Sequence, residues 1–261
     1  MNLDSVPIWV FFVGTILFVM AFIEVGYRMG IRAHRQSKAE KESPISGVSG
    51  AVLGLSAFML AFTFAIVADR YDARKALVRE DAAAIRTAYE RADFVPEPDR
   101  TEVKQLLRRY VDARLAYADP ADSKGRGITP LLAETDRIQR RLWQIAVKNA
   151  ERDMNSDVAA LYIESLNDME TVHASRLAIG VRTRVPVGIW VVLYALTSLG
   201  MISMGYHAGI AGSRRSKATW IVATAFGMVI ALIASLDRPT VLVTVSQQPL
   251  TDVKAFMSSG G

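Results

Sequence analysis

Four long apolar stretches constrain the fold of this chain more than any other feature of its sequence. A helix needs roughly 17–25 predominantly apolar residues to cross the hydrocarbon core of a bilayer. The stretches that meet this requirement are Pro7–Tyr27, Gly47–Ala68, Val185–Tyr206 and Ala218–Leu236. A chain in lipid must satisfy its own backbone hydrogen bonds, which favours helices. The pattern therefore predicts an all-α, four-helix integral membrane protein.

A highly charged segment separates the second apolar stretch from the third. Residues 69–185 hold 21 Lys and Arg and 20 Asp and Glu, and this near balance is typical of solvated helix faces. The sequence thus predicts a helical extramembrane domain inserted between two pairs of transmembrane helices. The predicted segments are 1–68 (helices one and two), 69–185 (helical domain), 186–236 (helices three and four) and 237–261 (tail).

Proline positions and apolar spacing divide the inserted domain into helices. One helix is expected to start after Pro96 and Pro98, and a loop is expected at 119–129. Two further helices should run through Leu131–Ile145 and Val158–Val172. The last of these is expected to continue into the third span, where Pro186 either starts the span or kinks it. In the tail, the run TVLVTV at 240–245 predicts a short extended segment.

The residues that carry chemistry in enzymes and metal sites are sparse. The chain has no cysteine, and its three histidines, His34, His173 and His207, lie in separate regions. His173 is interpreted either as a core residue of the helical domain or as a residue that faces the axis of a pore. No nucleotide loop, hydrolase elbow or zinc signature is present, so we expect no catalytic site, cofactor or metal. The net charge of +5 lies mainly beside apolar stretches, which favours lipid contact over nucleic acid.

The second apolar stretch carries two different stripes. Phe58, Phe62 and Ile66 recur every fourth residue, and Gly54 precedes them on the same stripe. A neighbouring stripe of small residues would let another helix approach closely in lipid. Its members are Gly50, Ala57, Ala61 and Ala65. The phenylalanine stripe is consistent with packing against lipid or a core and also with lining a pore, and spacing alone leaves both open.

Several motifs in and beyond this stretch point to a family. The run at 57–115 is AFMLAFTFAIVADRYDARKALVREDAAAIRTAYERADFVPEPDRTEVKQLLRRYVDARL, in which the apolar helix closes with R-Y-x-A-R-K. A T-A-Y run and a proline-flanked helix rich in Leu and Arg follow, and the tail has LDRP at 236–239 and PL at 249–250. This order resembles the bestrophin-like domain family of bacterial membrane proteins. The similarity covers most of the chain from Gly47 to Leu250.

The resemblance implies a function, because this family is distantly similar to the bestrophins, which are pentameric ion channels. It implies a homo-pentamer that conducts small inorganic ions through a pore lined by the second span. Alignment through Arg70 places Phe58 and Phe62 on two positions of a hydrophobic neck, with Ile66 on the same stripe. The third neck position falls on Gly54, which would make the neck shorter or wider there.

The resemblance also assigns the segment at the exit of the second span. The charges at this pore mouth would be Asp69, Arg70, Asp72 and Arg74. Both signs occur among them, so the sequence predicts no preference for anions or cations. After Pro239 there is no counterpart of the acidic calcium clasp of animal bestrophins, and calcium gating is not expected. The inserted helices would build a vestibule, as they do in bestrophins.

The orientation in the membrane follows from two opposing arguments. The basic residues of the short connections 28–46 and 207–217 would place the helical domain outside the cytoplasm. The resemblance places that domain and both termini in the cytoplasm, at a bacterial inner membrane, and we follow it. The alternative function is a membrane-anchored sensor or interaction protein whose helical domain binds a partner without conduction. Membrane lipids and other copies of the chain are the expected partners.

Overall fold

The computed structural model describes residues 7–36, 42–118, 128–179, 184–212, 218–238 and 245–259. Within these ranges all regular elements are helical, as predicted. The α-helices are α1 (Ile8–Gln36), α2 (Glu42–Arg91), α3 (Asp99–Ala118), α4 (Ile128–Ala150), α5 (Asp157–Leu177), α6 (Val187–Ile210), α7 (Ala218–Asp237) and α8 (Gln248–Ser258). A 3₁₀ turn at Ala92–Phe94 follows α2.

The chain divides into two compact units. The first unit comprises residues 1–71 and 184–244, and the second comprises residues 72–183 and 245–261. The helices that are long and apolar enough to cross a membrane are Ile8–Arg35, Gly47–Phe94, Val187–Ile210 and Thr219–Asp237. The predicted four-span architecture is therefore confirmed.

Glycines on α1 and α6 bring the backbones of these two helices into direct contact. A Cβ atom added to Gly209 would lie 2.5 Å from the carbonyl oxygen of Tyr27, and one added to Gly26 would collide with the carbonyl of Ile202. Gly30 and Gly205 meet the opposite backbone in the same way. Lipid gives helices little hydrophobic drive to associate, so close backbone packing supplies much of their attraction. The crossing of α1 and α6 has no room for side chains at these positions.

One face of α2 packs inside the first unit. The buried polar residues of this face, Ser49, Ser56 and Thr63, are spaced seven residues apart. Leu60 and Val67 are buried on the same face. The Ser49 and Ser203 hydroxyl oxygens lie 2.6 Å apart and form a hydrogen bond between α2 and α6. The buried partners of Leu60 and Val67 come from α6 and α7, and they include Leu193, Ile230 and Ile233.

Helix α2 is 50 residues long and continues past the apolar stretch. It has neither Gly nor Pro between Leu55 and Val95, so nothing in its sequence interrupts the helix. Val95 then adopts an extended conformation before Pro96, as proline imposes on the residue that precedes it. Pro96 and Pro98 precede α3, which begins at Asp99 as the sequence predicted.

The second unit has a large apolar core between its helices. Members of this core come from α2, α3, α4 and α5 and include Ile85, Leu107, Leu142 and Met169. Helix α8 joins it through Leu250, Val253 and Met257, which are buried. The Arg108 guanidinium donates to the carbonyl oxygen of Met257 at 2.9 Å and to the Tyr89 hydroxyl at 2.7 Å. The sequence division treats 237–261 as a separate tail, whereas α8 packs as part of this core.

The expected continuation of the fourth inserted helix into the third span is wrong. Helix α5 ends at Leu177, and residues 184–186 are not helical. Pro186 is the N-cap of α6, because proline lacks an N–H and disfavours helix at the preceding residue. The extended segment predicted at 240–245 lies outside the described residues except for Val245, which belongs to no regular element.

Candidate functional site

The phenylalanine stripe of α2 lies on the side opposite to the face that packs in the first unit. Phe58 is 64% exposed within the chain and Phe62 is 52% exposed. Their rings are stacked with centroids 6.4 Å apart. Ile66 is half-buried, and Gly54 is exposed. The chain thus presents two large aromatic side chains on the outer face of the first unit.

The neighbouring stripe of small residues also has no partner in the described part of the chain. Gly50, Ala57, Ala61 and Ala65 are all exposed. A Cβ atom added to Gly50 or to Gly54 would meet no atom within 4 Å. The close helix contact expected at this stripe therefore stays a prediction for a contact outside this chain.

The four charges at the end of the second span separate by sign. Asp69 is exposed, and the Asp72 side chain is 73% exposed with a carboxylate oxygen 3.7 Å from the ammonium of Lys75. In contrast, a guanidinium nitrogen of Arg70 lies 3.6 Å from a carboxylate oxygen of Asp237, and Arg74 is only 6% exposed. The carboxylates face outward while the guanidinium groups turn into the protein.

Asp237 explains why Arg70 turns inward. Its carboxylate accepts a hydrogen bond of 3.0 Å from the backbone N–H of Val185, just before α6, and it is buried. Asp237 thus links the end of α7 to the start of α6 and to α2. The adjacent Arg238 places its guanidinium 4.3 Å from the centre of the Phe11 ring. The LDRP motif, which the sequence analysis used only as a family signature, therefore supplies two residues that connect α7 to α1, to α2 and to the start of α6.

A second polar cluster is buried in the core of the second unit, where α2, α3 and α5 meet. Two nitrogens of Arg114 donate to one carboxylate oxygen of Asp81, at 3.2 and 3.0 Å. Arg176 donates to the same oxygen and to the Gln247 side-chain oxygen, the latter at 3.1 Å. A third Arg114 nitrogen lies 2.7 Å from Nδ1 of His173. Asp81 and Arg114 are almost completely inaccessible to solvent.

The hydrogen bond from Arg114 determines which ring nitrogen of His173 carries the proton. An arginine only donates, so Nδ1 of His173 accepts and the proton of the neutral ring is on Nε2. Burial, followed by the charge of Arg114, lowers the pKa of His173 to about 4. Nε2 lies 4.0 Å from a carboxylate oxygen of Asp136. This ring is therefore neutral near pH 7, and a protonated Nε2 is not available as a metal ligand.

The described residues contain no group of three His, Cys, Asp or Glu side chains that could hold a metal ion. A groove of about 460 Å³ runs between α4 and α5. Its lining is apolar at its base and polar at its edges, and consists of Asp136, Gln139, Arg140, Trp143, Gln144, Leu166, Met169 and Glu170.

Sequence reasoning missed the buried polar cluster, although the sequence contains a signal for it. On α2 the core stripe runs Val78, Asp81, Ile85 and Ala88, so a carboxylate occupies an apolar position. On α3, Arg114 follows the buried Tyr110 one turn later in the same way. His173 lies in the domain core, which was one of its two interpretations. Charged side chains on a core stripe require partners, which is the signal that could have identified these residues.

Four long apolar helices place this molecule among the helical membrane proteins. A family model, the Bestrophin-like domain, matches residues 8–240. The chain therefore belongs to the bestrophin-like family, and the resemblance inferred from its motifs is confirmed. No curated protein sequence matches the chain.

Solved structures agree with this membership at the level of the fold. One is a crystal structure of a bacterial bestrophin homologue from Klebsiella pneumoniae, phased with zinc. It is 17% identical, with a TM-score of 0.61, over 97% of this chain and 98% of that chain. A point variant of the Klebsiella homologue is also similar, at 17% identity and a TM-score of 0.59, over 92% of this chain and 98% of that one. At this identity the likeness shows the shared fold.

Proposed function

We propose that this protein is an oligomeric ion channel whose pore is lined by the phenylalanine stripe of α2. The observation that carries the proposal is the orientation of this stripe. Phe58 and Phe62 project from the face of α2 opposite to the buried serine and leucine face. A closed ring of copies, with this face turned to the axis, would surround a narrow apolar passage. Five copies are expected from the bestrophin resemblance.

An apolar neck of this kind controls ion conduction by holding or excluding water. A narrow ring of phenylalanines gives dehydrated ions no compensation, so it conducts when it is wide and wet and blocks when it empties of water. Ile66 lies one turn beyond Phe62 and extends the neck. Gly54 has no side chain one turn before Phe58, so the passage widens at that level.

The distribution of charge at the span exit favours cations. Asp69 comes seven residues after Phe62, which returns it to the same stripe after two helical turns. Asp72 is exposed in the next turn, while Arg70 and Arg74 turn inward. A ring of carboxylates at a pore mouth attracts cations, as acidic rings do in cation channels. The pore would therefore pass small inorganic cations in preference to anions.

The proposed location follows the family. The channel would lie in a bacterial inner membrane, with the helical domain of 69–185 as a vestibule and both termini in the cytoplasm. Membrane lipids would cover the outer surface of the ring. Its subunits would contact one another through the stripe of Gly50, Ala57, Ala61 and Ala65, whose small side chains let a neighbouring helix approach closely. No catalytic role is proposed.

Ion flux through the full-length protein in liposomes, together with single-channel recording, tests this proposal. Replacing both Phe58 and Phe62 by Ala should raise conductance several-fold, because the neck becomes wider and wets more easily. Phe64→Ala is the matched control, since Phe64 is an exposed phenylalanine of the same helix away from the stripe. Equal currents for the double variant and wild type would contradict the neck assignment.

The charge assignment is tested in the same recordings. Asp69→Asn should move the reversal potential in a salt gradient toward that of a less cation-selective pore. Lys75→Gln, which changes a charge one turn beyond Asp72, should move it in the opposite direction or not at all. A reversal potential that does not change in Asp69→Asn would refute the role of this carboxylate.

The alternative, a membrane-anchored interaction protein, is favoured by a different observation. The groove between α4 and α5 leaves Trp143 42% exposed beside Asp136, Arg140 and Glu170. An aromatic anchor surrounded by charges is typical of binding surfaces. Particles without an axial cavity, together with no ion flux in liposomes, would favour this alternative over the channel.

A further inference from the structure

The outer face of α1 changes from apolar to basic along a single stripe. Leu17, Ala21 and Val25 are exposed on this stripe, with Leu17 62% and Val25 47% exposed. Helical spacing continues the same stripe through three further residues that are also exposed, Arg28, Arg32 and Arg35. An apolar track of about two turns therefore leads directly to three guanidinium groups.

These arginines are available to an external ligand. Arg28 donates to the Glu24 carboxylate at 2.7 Å, which offsets its charge. Arg32 and Arg35 form no ion pair with any acidic side chain in the described part of the chain. Two of the three positive charges therefore have no acidic partner among the described residues, and Arg28 is held in place beside them.

At the other end of the first unit, the arginines interact with residues of the same chain. Arg70 faces Asp237 at 3.6 Å, and Arg238 is 5% exposed with its guanidinium over the Phe11 ring. Those guanidinium groups bind within the chain. Among the described residues of this unit, the exposed basic stripe belongs to the Arg28–Arg35 end of α1.

We propose that the stripe from Leu17 to Arg35 on α1 is a binding site for an anionic phospholipid. The acyl chain lies along Leu17, Ala21 and Val25, and the headgroup phosphate binds Arg32 and Arg35 beside the Glu24–Arg28 pair. Arginine suits this role because its planar guanidinium donates in a fork that matches phosphate oxygens. Arg28 and Arg35 are seven residues apart, or about 10 Å along the helix, which is within the reach of one headgroup region. The site is independent of the proposed ion conduction.

The test uses the full chain purified in detergent and titrated with phosphatidylglycerol or with phosphatidylcholine of the same acyl chains. Bound lipid is counted by native mass spectrometry, and thermal stability is followed in parallel. Wild type should retain phosphatidylglycerol in preference to phosphatidylcholine. The double variant Arg32→Gln with Arg35→Gln should weaken phosphatidylglycerol binding by about thirtyfold, since each arginine near an anionic surface contributes about a factor of five.

A matched control separates the site from a general effect of charge. The double variant Arg109→Gln with Arg137→Gln removes the same charge from exposed positions on α3 and α4 and should bind lipid as wild type does. Equal loss in both double variants would overturn the proposal, and so would equal binding of the two lipids by wild type. Stabilisation by inorganic phosphate or glycerol phosphate at the same concentration would show that the apolar track takes no part, and would overturn the assignment to a lipid.

Discussion

Helices pack against one another in different ways in the two units of this protein. In the first unit, α1 and α6 meet through Gly26, Gly30, Gly205 and Gly209, where backbone contacts backbone. In the second unit, helices pack through a broad core of large apolar side chains. Water drives the burial of apolar surface, whereas acyl chains are as apolar as the side chains they contact. Helices in lipid are therefore stabilised mainly by close backbone packing, and helices in water mainly by the burial of apolar side chains.

The same contrast holds for polar groups. Within its apolar spans the first unit uses neutral hydroxyl groups, such as the pair Ser49 and Ser203, and its ion pair of Arg70 with Asp237 lies where the spans end. The second unit buries full charges, with Asp81 bound by Arg114 and Arg176. Buried charges are tolerated only when they are paired and hydrogen-bonded. The difference predicts where a single substitution will be most damaging in each unit.

The largest effect is expected from filling the contact between α1 and α6. Gly26→Leu places a side chain against the backbone of Ile202 and should lower the free energy of unfolding by more than about 4 kcal/mol, or prevent folding. Gly14→Leu is the control on the same helix, because a Cβ there meets no atom within 4 Å. Thermal unfolding of the detergent-purified variants measures both. Similar melting temperatures would mean that close backbone contact is not what holds this pair.

A smaller but still large effect is expected from opening the buried cluster of the second unit. Arg114→Met leaves the Asp81 carboxylate with Arg176 as its remaining partner and should cost about 3 kcal/mol. Arg109→Met removes an exposed arginine that pairs with Glu134 on α4, and it should cost less than about 1 kcal/mol. Urea titrations of the two variants give the comparison. Equal urea midpoints would show that the cluster is not a determinant of stability.

The smallest of these effects depends on pH and comes from His173. Its pKa in the folded protein is about 4, below the ordinary value of 6.5, so the unfolded chain binds the extra proton first as pH falls. The stabilisation by the neutral ring is complete above pH 6.5 and is lost as pH falls toward 4. Between pH 7 and pH 5 the loss should be about 2 kcal/mol.

The control for this pH effect is His173→Gln, which cannot titrate. Urea titration of the full chain in detergent at both pH values should show a smaller loss of stability in this variant than in wild type. An identical loss in the two proteins would assign the acid sensitivity to other groups.

Much of the fold follows from local sequence. The starts of the four spans were predicted within about two residues, because length and hydropathy decide what crosses a bilayer, whereas α1 and α2 continue well beyond the predicted ends at Tyr27 and Ala68. The start of α3 was predicted because Pro96 and Pro98 act on their immediate neighbours. The continuous α2 also follows from the sequence, since no glycine or proline interrupts it beyond Leu55.

The partners of each face were harder to infer. The motifs GYRMG at 26–30 and GYHAG at 205–209 are both small-xxx-small, as is the pair Gly50 and Gly54. The sequence analysis selected the small-residue stripe of α2 as a close helix contact, whereas α1 and α6 use their glycine pairs within the chain. Spacing shows that a helix can be approached closely, but it does not say which helix approaches. The same limit applies to Asp69 and Arg70, which are adjacent in sequence and point to different surroundings.

The amino-acid sequence was enough to predict a helical protein with four spans and an inserted charged domain, and to identify its family. The helical spans and the charged domain follow from composition over tens of residues, and the family follows from short motifs in a fixed order, so neither requires knowledge of contacts. Three features required the folded structure: Arg70 turns toward Asp237, His173 accepts from Arg114, and the phenylalanines of α2 face away from the helices of their own unit. Each of these depends on a partner distant in sequence, whose position follows from packing.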